Sequence, residues 1–138
     1  MRRSYIGLSV LIIPVVLTLS CGGGDCPGYP LTYSGTISGS LNANVSFNRA
    51  NSPAGQASYT GMFTGTGGSA GTNGTISFRV DCSTHQIESG TWQVQDVPVD
   101  YPHGAVYGTA TSGGAEGTYD CDPSASCSWT GAWDVASQ

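Results

Sequence analysis

The chain has 138 residues, of which only four are basic, nine are acidic and none is lysine, so charged side chains make up 9% of it. Nucleic-acid binding is excluded, because a phosphate backbone needs a cluster of Lys and Arg that is not there. The 21 glycines raise low-complexity disorder, but an apolar content of 38% and the alternation described below argue for a folded chain.

Met1-Arg2-Arg3 puts positive charge at the N-terminus, and Ile6 to Leu19 follows as an uncharged run of 14 residues interrupted by Pro14. That is the n-region and h-region of an export signal. It is shorter than the roughly 20 apolar residues that a spanning helix needs. Thr18 and Ser20 are small residues placed for cleavage before Cys21.

Thr18-Leu19-Ser20-Cys21 resembles the lipobox of bacterial lipoproteins, matching it at Ser20 and Cys21 and departing from it at Thr18 and Leu19. The resemblance implies a signal peptide over 1–20, diacylation of the Cys21 thiol and acylation of the new amino group by fatty chains such as palmitate. Gly22 after the cysteine implies sorting to the outer membrane in Gram-negative lipoproteins of the enteric kind. The five cysteines agree with lipidation, since consuming Cys21 leaves an even four. At about 0.8 kcal/mol per buried methylene, two or three chains hold a protein on a membrane. Plain secretion with a free or intermolecularly paired Cys21 is the alternative.

Cleavage before Cys21 removes 20 of the 138 residues and leaves 118, enough for one small domain. Arg49 and Arg79 are then the only basic residues against nine acids, a net charge of −7. Residues 21–30 read as a Gly/Pro-rich tether.

From Leu31 the period is two. Leu31, Tyr33, Gly35 and Ile37 share one face of a first strand, and Leu41, Ala43, Val45 and Phe47 one face of a second, joined by a hairpin turn at Gly39-Ser40. A third strand covers Ala57 to Thr66, and a fourth places Ile76, Phe78 and Val80 inward. The fifth runs from His85 through Ile87 to Trp92, Val94 and Val97. Its apolar parity changes at Glu88 to Gly90, which predicts a bulge. Ala105 to Thr111, Ala115 to Cys121 and Ser126 to Val135 complete about eight strands within a single all-β domain over 31–138. An antiparallel meander closed into a barrel and a two-sheet sandwich both fit this count.

Gly-Thr pairs recur irregularly, often before Ile, Trp or Tyr, as at Gly90-Thr91-Trp92. Glycine permits close strand approach and threonine favours the extended backbone. Such strands are similar in general architecture to small avidin or lipocalin barrels, which implies a ligand held among inward aromatics. No site residue follows from that likeness.

Chemistry-bearing residues are few. Cys26, Cys82, Cys121 and Cys127 permit three disulfide pairings, and proximity favours 26–82 with 121–127. Zinc is disfavoured by the absence of a Cys-x-x-Cys pair, and no cofactor is expected. His103, near Asp100 and Tyr101, is the best placed general base, yet a loop histidine without a role is far commoner, so no catalytic residue is assigned. Asp120 and Asp122 read as turn-capping acids. Trp92, Trp129 and Trp133 are core residues on parity and the candidate ligand contacts if the interior is hollow. Outward-facing aromatics would instead form a platform for a glycan or a protein.

The resulting expectation is a non-catalytic, membrane-anchored binding or envelope-structural module. A small-ligand barrel is the second reading and an enzyme using His103 the third.

Overall fold

A computed structural model of the chain describes residues 26–95 and 102–138. The export segment, Cys21, Val97, Asp100 and Tyr101 lie outside the described residues. Eight strands follow in order: β1 (Thr32–Gly39), β2 (Ala43–Ala50), β3 (Gln56–Gly65), β4 (Asn73–Asp81), β5 (Ile87–Val94), β6 (His103–Ala110), β7 (Gly114–Cys121) and β8 (Thr130–Ser137). Each pairs antiparallel with the next, and β8 pairs with β1, so the sheet closes into an up-and-down barrel. Closure decides between barrel and sandwich and removes every edge strand.

The period-two pattern places the core. Along β2, Ala43, Val45 and Phe47 are buried while Asn44, Ser46 and Asn48 are exposed. Phe78 sits amid the large rings, with centroid separations of 5.0 Å to Phe47, 5.1 Å to Tyr59 and 5.5 Å to Trp133. Such offset and edge contacts contribute beyond area burial.

The inward glycines explain how these rings fit. In the strand registers Phe47 faces Gly61, Phe63 faces Gly74, Phe78 faces Gly90, Trp92 faces Gly104 and Tyr119 faces Gly131. A ring on one strand thus meets a residue without a side chain on its neighbour. At Gly74 an added Cβ would come within 2.3 Å of the Phe63 ring. In Gly74-Thr75 and Gly90-Thr91 the glycine therefore points into the barrel and the threonine out.

The predicted bulge is present. Arg79 pairs with Ser89 and Val80 with Ile87, which leaves Glu88 as the extra residue of β5. Strand limits differ where turns intervene. His85 adopts φ 62°, a left-handed conformation that belongs to the β4–β5 turn, so β5 starts at Ile87 and not at His85. β6 begins at His103 itself. β8 begins at Thr130, after the Cys121–Cys127 loop.

One barrel end carries the β2–β3, β4–β5 and β6–β7 turns and is closed by residues 26–31. Cys26 is buried and bonded to Cys82. The Tyr59 hydroxyl donates to Pro30 O at 2.6 Å, and Arg49 Nη1 donates to Tyr29 O at 3.1 Å. Tyr29 donates its own hydroxyl to Ala110 O at 2.8 Å and lies 2.7 Å from His85 Nδ1. The described half of the Gly/Pro-rich segment, residues 26–30, is therefore fixed to the barrel by a disulfide and hydrogen bonds. Composition alone suggested a loose tether. Burial pushes the phenols of Tyr29, Tyr33 and Tyr59 above the ordinary tyrosine value.

Candidate functional site

The inward tryptophans are committed to the core. Trp92 and Trp133 are 4% and 2% exposed. Each indole N–H crosses a neighbouring strand to a backbone carbonyl, Trp92 Nε1 to Asp120 O at 2.9 Å and Trp133 Nε1 to Tyr107 O at 3.1 Å. Trp129 is half-buried and stacks flat on Trp92, with centroids 6.0 Å apart, at the end opposite residues 26–31. The three residues do not converge on one hollow: Trp133 joins the Phe47–Phe78 rings, while Trp92 and Trp129 cover the far end. Among the tyrosines, Tyr33, Tyr59 and Tyr119 are buried and Tyr107 is 51% exposed. A flat aromatic platform is thus not formed among the described residues.

The described residues form a concavity on the outer wall. Outward residues of β2 to β5 align across the ladder in two rows, Asn48, Thr60, Ser77 and Thr91 in one and Ser46, Met62, Thr75 and Gln93 in the other. Adjacent strands lie about 4.8 Å apart, so each row sets hydroxyl and amide groups at that repeat. Short side chains in the middle leave a groove of about 850 Å³. Ser77 Oγ and Thr91 Oγ1 are 3.4 Å apart on its floor. Met62, 59% exposed, is the large apolar contribution.

His103 and Asp122 stand at one end of the groove. His103 is the first residue of β6, half-buried, and its carbonyl accepts from the Asp122 N–H at 2.9 Å. The Asp122 carboxylate accepts from Ser124 N at 2.8 Å and Ser124 Oγ at 2.6 Å. Those bonds hold its pKa below the usual aspartate value, with a smaller contribution from His103. Asp81 is held in the same way by Ser83 and Thr84, which bring its pKa down to about 2. Turn capping is what Asp122 does here, as its sequence context suggested.

Both favoured disulfides are present, with Cα separations of 5.7 Å for Cys26–Cys82 and 5.9 Å for Cys121–Cys127. Among the described residues, no three His, Cys, Asp or Glu side chains are grouped to hold a metal ion.

Comparison of the chain with family models, curated proteins and solved structures finds no match. The groove therefore has to be read from its own chemistry. Its rows offer neutral donors and acceptors, without a cation. None of these residues stands out as a site in the sequence. The missing signal is cross-strand register, which makes separate Ser, Thr and Asn residues neighbours.

Proposed function

We propose that this chain is a lipid-anchored, extracytoplasmic barrel without catalytic activity, serving as a binding or envelope-structural module that engages its partner through the outer wall. The observation that carries this reading is the division of labour between the two faces. The lumen is packed by aromatic rings against glycines, whereas the outer wall holds an open groove of hydroxyl and amide groups. Such a lining suits an uncharged, hydroxyl-rich partner such as a glycan, whose groups exchange water for Ser, Thr, Asn and Gln. Two cystine bridges support an oxidising compartment. Cys21 and the preceding signal-like segment support the anchor, and Gly22 supports the outer membrane as its site.

Intact mass of the membrane-fraction protein tests the anchor. The expected mass is that of residues 21–138 plus acyl chains, less four hydrogens for two disulfides; a full-length or lipid-free chain removes the basis for it. Chemical-shift mapping with neutral oligosaccharides tests the groove. Shifts are expected at Thr60, Ser77 and Thr91 and are expected to vanish in Thr60→Trp. Shifts centred on Trp92 and Trp133 would instead favour a barrel that takes a small ligand inside.

A further inference from the structure

The position of Cys26 limits how the barrel can stand on a membrane. Cys26 is 3% exposed and bonded to Cys82, so the chain enters the barrel at the end closed by residues 26–31. Only residues 22–25 separate it from Cys21. Five Cα-to-Cα steps reach at most about 18 Å when fully extended. Most of the strands have eight residues, and at a tilt of about 40° they make a wall only about 20 Å high. A connection this short brings the closed end to the lipid surface.

The surface at that end suits such a contact. Leu31 is 76% exposed beside the start of β1. The turns around it, Ser52–Gly55, Ser83–Thr84 and Ser112–Gly113, carry no charged residue. The Asp81 carboxylate is turned into its own loop by Ser83 and Thr84.

We infer that the end closed by Cys26–Leu31 is a membrane-facing surface whose partner is the bilayer itself, with Trp129 and the Cys121–Cys127 loop directed away from it. The inference rests on acylation of Cys21. In this orientation the outer groove opens sideways, clear of the lipid.

Energy transfer from a donor dye to headgroup-labelled acceptor lipids tests it, using the full acylated protein in vesicles. The donor is attached at Ala54→Cys, in the β2–β3 loop of the closed end, or at Ala70→Cys, in the β3–β4 loop of the far end; both sites are exposed. Transfer from position 54 is expected to be at least twofold more efficient. Hydrogen exchange on the unsubstituted protein supplies an independent reading, with vesicles slowing exchange at residues 52–55 and leaving 68–71 unchanged. Equal transfer, or stronger transfer from position 70, in a protein whose mass includes acyl chains overturns the orientation and leaves the anchor standing. A protein without acyl mass overturns both.

Discussion

The indole of Trp133 on β8 crosses Gly117 of β7 and donates its N–H to the carbonyl of Tyr107 on β6, 3.1 Å away. One side chain thereby ties three consecutive strands together. It can do so because Gly117 leaves its path clear.

Gly117→Ala should therefore be costly. A Cβ there would stand 1.7 Å from Tyr107 O, and backbone cannot yield as a flexible side chain does. The ladder must shift, with an expected loss of about 3 kcal/mol. Gly68→Ala, where nothing lies within 4 Å, should change stability by less than about 0.5 kcal/mol. Urea denaturation of the two variants checks the contrast, and equal midpoints would refute it.

The two disulfides should differ in worth. Cys26–Cys82 spans 56 residues and Cys121–Cys127 only 6. The chain-entropy model assigns them about 4 and about 2 kcal/mol. Paired serine substitutions at 26 and 82 should exceed the entropic figure, because they also free the segment that bonds to Tyr59, Arg49 and Ala110. Denaturation of each double variant measures this; a larger loss for the 121/127 pair would contradict it.

Acid should weaken the fold through Asp81. Its folded-state pKa lies near 2, below the ordinary aspartate value, so its contribution is complete above about pH 4 and is lost as pH falls toward 2. Asp122 shifts in the same direction. Asp81→Asn should flatten the fall in urea midpoint between pH 4 and pH 2. An unchanged slope would assign the acid response to other groups.

Glu116 and Asp134 are direct cross-strand neighbours on the outer wall, and like charges so placed oppose each other. Glu116→Gln should raise stability by about 0.5 kcal/mol at low salt. The gain should shrink at 1 M salt, where the screening length is about 3 Å. A gain independent of salt would mean that charge is not its cause.

Much of the wall was legible because alternation is a local property. Leu41, Ala43, Val45 and Phe47 point inward as their spacing required, and the parity change near Glu88 correctly marked a bulge. Pairing is not local. Nothing in the sequence near Ile37 announces that it will lie opposite Trp133, so closure stayed open against a sandwich. The inward glycines were visible as Gly-Thr repeats, but their role depends on which ring faces them across the sheet. The groove was hidden for the same reason, since Thr60, Ser77 and Thr91 are unremarkable until register makes a row of them. His103 read as a loop residue because Pro102 and Gly104 flank it, yet pairing with Gln93 draws it into β6.

The β1–β8 seam has a kinetic consequence. The strand made first must wait for β8, so the wall cannot be sealed until β8 has been made. A barrel closed through partners so far apart in sequence is expected to fold in milliseconds to seconds, and until then the rims of β1 and β8 are open to chaperones or to a second unfinished copy.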